Sequence, residues 1–277
     1  MNIGIVGIGL IGGSFAKAYK AAGHKTFGFD IDEAILSFAQ LSGAIDGVLN
    51  AQSINICDVI IIAVNPGDAV AYLEKTAPDI NKNALVIDCC GVKKFICPRC
   101  FALAGQYGFV FVGGHPMAGS HKAGFKNSRA DLFSGAYMIL VPPVYDDPDL
   151  FGRIESALKP VGFGHLTITT AEKHDEMIAF SSQMAHIVSN AYIKSPSAKG
   201  HKGFSAGSYR DLTRVARLNA DMWGELCMAN SEYLIKELDG FINSVTRYKN
   251  ALAAQNTEEL VKLLEEGSRL KGELDNE

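Results

Sequence analysis

Over the first 170 residues the apolar positions fall in short unbroken runs at 59–64, 84–87, 109–112 and 136–141, with further strand-like stretches at 2–6 and 164–168. A run that is apolar throughout, instead of alternating, marks a strand covered on both faces, as in a parallel sheet. Gly, Pro, Asn or Asp punctuates most of these runs, and segments with helical spacing, such as 14–22 and 150–161, lie between them. Strand and helix in alternation predict an α/β architecture. From 171 to 277 the apolar residues recur at helical spacing and no long strand-like run remains. The pattern therefore predicts an α/β domain over 1–170 and an all-α domain over 171–277.

The first strand runs into Gly7-Ile8-Gly9-Leu10-Ile11-Gly12, and a second strand at 26–29 ends at Asp30. Strand, G-x-G-x-x-G turn, helix, strand and an acid about twenty residues on form the full context of a dinucleotide fingerprint. Gly7 serves the tight turn, Gly9 the approach of a pyrophosphate and Gly12 the close packing of helix on strand. The helix that begins at this turn faces the phosphates with its N-terminus. Asp30 suits a ribose hydroxyl and repels a 2′-phosphate, which favours NAD over NADP. The expected cofactor contacts are Gly7, Gly9, Leu10, Ile11, Gly12 and Asp30, with Val64 and Asn65 where the 59–64 run ends. The first domain is thus expected to be of Rossmann type.

Three further segments carry candidate chemistry. Gly113-Gly114-His115-Pro116-Met117-Ala118-Gly119-Ser120 follows the 109–112 run, so His115 is expected on a loop at a C-terminal strand edge, where such sheets bind ligands. The two glycines offer unusual backbone conformations and close approach, and Pro116 favours an extended His115. In the all-α part, residues 177–192 are expected to form a deeply buried helix. Ser182, His186 and Ser189 share one stripe of it, either as hydrogen-bonded core groups or as a substrate-facing surface. Arg210, Arg214 and Arg217 are expected to line one helical face, with Asp211 able to pair with Arg214. Arginine forks bind carboxylates bidentately, so the stripe suits an acidic small molecule; otherwise it is a solvated charged face.

Composition narrows the picture. The chain has 277 residues, 48% hydrophobic and 20% charged, with a net charge of -4. That charge gives no general attraction to nucleic acid. No apolar run approaches the ~20 residues of a membrane helix, and no leader is recognisable, so a cytosolic location is expected. Six cysteines include Cys97-Pro98-Arg99-Cys100 beside Cys89-Cys90. Adjacent Cys89 and Cys90 are badly placed to share one tetrahedral metal site, and free thiols are expected.

Taken together, Gly7-x-Gly9-Leu10-Ile11-Gly12-Gly13-Ser14, Gly114-His115-Pro116-Met117-Ala118-Gly119-Ser120, Ser182-x-x-x-His186 and Asp211-Leu212-Thr213-Arg214 with Met222-Trp223 resemble the prephenate dehydrogenases of tyrosine biosynthesis. The resemblance spans essentially the whole chain. It implies an NAD-binding domain, an all-helical dimerisation domain, a homodimer, and oxidation of prephenate or arogenate with loss of carbon dioxide. The histidine matching His115 would accept a hydrogen bond from the substrate hydroxyl as hydride leaves. The arginine matching Arg214 would bind a substrate carboxylate, with the histidine matching His186 near the substrate. Ser120 and His121 are further candidate substrate contacts.

Two positions depart from the family pattern. Many members carry Gly-Ser where this chain has Cys90-Gly91, so the hydroxyl contact of that serine must come from elsewhere. Many have an acid at the position of His121, which leaves the choice between keto acid and amino acid open. Other readings are a β-hydroxyacid-type dehydrogenase, which would need a lysine in the helical domain, and an NAD-binding protein without catalysis.

Overall fold

The computed structural model describes residues 1–119 and 122–275. Two compact units emerge, Met1–Ile178 with Asn219–Asn230, and Ala179–Leu218 with Ser231–Glu277.

The first unit is built on one eight-stranded sheet. Its strands are β1 (Asn2–Val6), β2 (Lys25–Phe29), β3 (Gly47–Val48), β4 (Val59–Ile62), β5 (Leu85–Asp88), β6 (Val110–Pro116), β7 (Tyr137–Val141) and β8 (His165–Ile168). They lie in the order β3-β2-β1-β4-β5-β6-β7-β8. β1 to β6 are parallel, β7 runs antiparallel to β6, and β8 runs parallel to β7. The order reverses between β1 and β4, so a crevice opens at their C-terminal ends. The unbroken apolar run of β4 has the predicted cause, whereas β8 is exposed along its length. Alternate residues enter opposite layers, Ile61 on one face and Ile60 and Ile62 on the other. Phe15 and Tyr19 of helix Leu10–Ala21 and Ile154 of helix Pro148–Leu158 fill the first layer. Leu73 of helix Pro66–Thr76 and Cys100 of helix Cys97–Tyr107 join the second.

The structure corrects two expectations about the His115 segment. His115 is not on a loop. It lies inside β6, paired with Ile139 of β7, because the strand continues through Pro116 instead of stopping at Val112. Gly113 and Gly114 are also not in the left-handed region, since neither is among the positive-φ residues. They are required for space: a Cβ on Gly114 would stand 2.4 Å from the Asp88 carbonyl, and one on Gly113 2.5 Å from Cys97 Sγ.

The second unit is helical. Residues 177–192 belong to three consecutive segments: helix Ala171–Ile178, which is part of the first unit, a π-helical stretch Ala179–Met184, and helix Ala185–Tyr192. The expected deep burial is not found, for Phe180 is 52% and Tyr192 48% exposed. Helices Ser231–Ala253 and Thr257–Leu274 turn back on each other at Gln255, whose φ is 50°. Asn256 caps the second of them by accepting from Glu259 N at 3.0 Å, and Tyr248 Oη donates to the Leu263 carbonyl. Among the described residues no helix is long and apolar enough to cross a membrane.

Candidate active site

The crevice between β1 and β4 is shaped by its glycines. Gly7 has φ +84°, and a Cβ there would meet the Ala63 carbonyl and Val64 Cγ1 at 2.6 Å. A Cβ on Gly12 would lie 1.9 Å from the Gly7 carbonyl, so helix Leu10–Ala21 can start this close to β1 only without a side chain. Gly9 differs, since its Cβ would meet nothing within 4 Å. That open space lies at a helix N-terminus with no side-chain cap and no acid in its first turn. Unsatisfied N–H groups there, at Leu10 and Ile11, suit a phosphate. The cradle therefore fits a dinucleotide.

Asp30 stands at the end of β2 and serves the same loop, accepting from Ile8 N at 2.8 Å and Asp32 N at 3.0 Å. A cavity of about 230 Å³ beside it is lined by Gly7, Asp30, Val64, Asp68 and Tyr72. Asn65 is the N-cap residue of helix Pro66–Thr76 and is exposed. Within the same unit, helix Ala220–Ala229 reaches this edge, where Glu225 Oε1 accepts from Gly67 N at 2.8 Å. Its Leu226 lies 3.3 Å from where a Cβ on Gly91 would be, so apolar carbon occupies the flank of that glycine.

His115 is the outer member of a buried polar chain. Its Nδ1 is 2.8 Å from His174 Nε2, and His174 Nδ1 is 2.7 Å from Asp175 Oδ1. Asp175 also accepts from Lys93 N at 2.7 Å and Lys94 N at 2.9 Å, which ties helix Ala171–Ile178 to the turn after β5. A second buried charge pair adjoins this turn. Asp88 binds the Lys93 ammonium and accepts from Gly114 N at 2.9 Å and Cys90 N at 2.8 Å, both side chains having no exposure. Burial pushes the His115 imidazole well below the ordinary histidine range, and His174 and Lys93 push the same way. Burial lowers His174 as well, outweighing the Asp175 carboxylate. Both rings are therefore neutral at pH 7. Burial opposes the Lys93 ammonium, but Asp88 beside it more than compensates and holds its pKa above the usual lysine value.

In the second unit, His186 Nδ1 donates to the Ser182 carbonyl at 2.9 Å, one turn back across the end of the π-helical stretch. π-helical turns are concentrated at functional sites. The expected arginine stripe does not form. Helix Gly207–Thr213 ends before Arg214, which is its C-cap residue, and Arg217 follows in irregular chain. One carbonyl of its last turn and one in the chain beyond it are satisfied from outside the helix. Ser189 Oγ donates to the Leu212 carbonyl at 2.7 Å and Asn190 Nδ2 to the Ala216 carbonyl at 2.9 Å. Asp211 does not pair with Arg214, which is exposed and makes no ion pair among the described residues. Ser120 and His121 lie outside the described residues.

Asp88, Lys93, His174 and Asp175 escaped the sequence reading. One signal was present: Ala171, His174, Asp175 and Ile178 are spaced as one helical face, and all four are buried. The six thiols are unpaired, and burial pushes Cys100 up to about 12, far from thiolate reactivity.

Comparison with known proteins finds relatives over nearly the whole chain. The family model "Prephenate dehydrogenase, nucleotide-binding domain" matches residues 15–166, and "Prephenate dehydrogenase, dimerization domain" matches 170–266. A prephenate dehydrogenase of Bacillus subtilis is 28% identical over 267 residues, covering 92% of this chain and 71% of that protein. The structure of an A. aeolicus prephenate dehydrogenase in complex with hydroxyphenyl propionate and NAD+ aligns with TM-score 0.83 at 28% identity, over 99% of this chain and 98% of that one. A Synechocystis arogenate dehydrogenase structure aligns with TM-score 0.81 at 27% identity, over 98% and 99%.

Proposed function

Because the chain belongs to the prephenate dehydrogenase family, we propose that it oxidises prephenate with NAD, releasing carbon dioxide and 4-hydroxyphenylpyruvate. The observation that carries this reading is a neutral histidine, His115, near the C-terminal end of β6, in the same sheet whose β1 leads into a glycine cradle that fits a dinucleotide. NAD, when bound, supplies the hydride acceptor. His115 accepts the proton of the substrate's ring hydroxyl as the carbonyl forms, ordinary general-base work worth ~10²–10⁴-fold. As the C–CO2 bond breaks, its electron pair closes the aromatic ring and the carbonyl oxygen takes the proton back from His115, which makes the step effectively irreversible.

The remaining roles follow from placement and resemblance. Gly7, Gly9, Leu10, Ile11 and Gly12 hold the pyrophosphate, Asp30 the adenosine ribose, and Val64 and Asn65 border the cofactor. Arg214, an exposed guanidinium, anchors a carboxylate of the dicarboxylate substrate, and His186 is a second substrate contact. Ser120 and His121 are assigned to the substrate on resemblance alone. Residues 1–170 form the NAD-binding domain and 171–277 the substrate and dimerisation domain. A homodimer is supported by Ile242, Val245, Leu252 and Leu264, about half exposed or more on helices Ser231–Ala253 and Thr257–Leu274. The enzyme serves tyrosine biosynthesis in the cytoplasm.

Similarity to the Synechocystis arogenate dehydrogenase favours arogenate as a second substrate. The test combines the purified chain with NAD or NADP and either substrate, following absorbance of the reduced nicotinamide. Turnover of prephenate with NAD is expected; turnover of arogenate alone transfers the activity to the amino acid. No turnover of either by folded protein overturns the reading.

A further inference from the structure

The chain His115–His174–Asp175 has a direction that its end fixes. The Asp175 carboxylate holds two backbone N–H groups, and at the histidine it can only accept. His174 Nδ1, 2.7 Å away, must therefore carry the hydrogen and donate it. A neutral imidazole has one N–H, so His174 Nε2 is left with a lone pair. That lone pair faces His115 Nδ1 at 2.8 Å, which must in turn carry its hydrogen and donate. The bare nitrogen of His115 is then Nε2, which has no protein partner among the described residues.

We propose that His174 and Asp175 are positioning residues that lock His115 in the tautomer with Nδ1 protonated and Nε2 free to take the substrate's hydroxyl proton. The inference rests on the reading of His115 as base and adds what aims it. An isolated imidazole exchanges its hydrogen between the two nitrogens, and the other tautomer presents a donor where an acceptor is needed. When Nε2 takes the hydroxyl proton, the O–H bond breaks, an N–H bond forms and the ring becomes an imidazolium. Its Nδ1–H then donates to His174 more strongly, with Asp175 behind to balance the charge. The other charged groups at the centre, Asp88 and Lys93, are paired with each other and bracket the chain from the turn after β5.

The test needs one spectrum, a His115 variant to assign it and two His174 variants. In the full chain with 15N-labelled histidine, long-range proton–nitrogen correlation should show His115 with Nδ1 protonated and Nε2 bare, assigned by its loss in His115→Asn. A wild-type His115 with the hydrogen on Nε2 overturns the proposal, whatever the variants do. His174→Gln offers a carbonyl to His115 Nδ1 and should keep both the tautomer and kcat within about threefold. His174→Leu offers no acceptor and should lower kcat ~10²-fold, within the general-base range, at little-changed KM. That loss should persist to high pH, because the defect is tautomeric. Recovery at high pH would show that His174 acts only through charge and would sink the idea, as would equal activity of the two variants. The spectrum requires no substrate, so it stands apart from the turnover assay that tests the function.

Discussion

Replacing Lys93 with methionine tests the buried centre most directly. Lys93 and Asp88 pair with no exposure of either side chain, so Lys93→Met leaves the Asp88 carboxylate buried without its counter-ion. Removing one partner of such a pair costs about 3–5 kcal/mol. Asp88 keeps its bonds from Gly114 N and Cys90 N, which places the loss near the lower end, ~3 kcal/mol. At about 2–4 °C per kcal/mol for a unit of this size, Tm should fall by roughly 6–12 °C. A catalytic effect accompanies it. Lys93 helps to lower the His115 pKa, and its removal with Asp88 unmatched raises that pKa. The unprotonated base is then lost at a higher pH, so the acid limb of kcat/KM moves up while the high-pH plateau stays. Thermal unfolding at fixed protein concentration and a pH–rate profile measure both effects. The double variant Lys93→Met, Asp88→Asn removes both charges and should recover part of the Tm. A single variant within 1 kcal/mol of wild type, or an unmoved acid limb, refutes the reasoning.

Other expectations are simpler to read. Gly9→Ala meets open space and should leave stability within ~0.5 kcal/mol yet weaken NAD binding, measured by calorimetry. Gly12→Ala drives a methyl into the Gly7 carbonyl and should cost ~1–3 kcal/mol as well as binding. His115→Asn should lower kcat ~10²–10⁴-fold with little change in KM, and an unchanged kcat rules out its catalytic role. Arg214→Ala should chiefly raise KM for the dicarboxylate; an unchanged KM places the anchor elsewhere. Folded His115 and His174 have pKa values below the unfolded value of ~6.5, so the unfolded chain binds more protons. Stability should therefore fall as pH drops below about 6.5, and His115→Asn with His174→Gln should flatten that fall in a Tm series.

The cofactor edge could be read from the sequence because its physics is local. Gly7, Gly9 and Gly12 act through a turn and the helix that follows it, and their spacing survives as a written pattern. The apolar runs likewise announced the central strands, because a strand covered on both faces needs no alternation. The arginine stripe failed for a non-local reason. Helical spacing carried Arg214 and Arg217 onto one face, but the helix ends at Thr213, where Ser189 binds the Leu212 carbonyl of its last turn and Asn190 holds the Ala216 carbonyl in the chain beyond. The buried helix at 177–192 failed similarly, because periodicity marks an apolar face without saying what covers it.

The sequence by itself determined the class of the fold, the dinucleotide turn and the candidacy of His115, each set by residues within about twenty positions of one another. Tertiary structure alone decided how that histidine is held. His174 stands 59 residues from His115, and Asp175 is 82 residues from the Lys93 N–H that it accepts. Whether such groups are solvated or buried, and which nitrogen keeps its hydrogen, depends on partners that only packing brings within 3 Å. In water His174 and Asp175 would be an unremarkable polar pair. Buried against the turn after β5, they hold His115 in place.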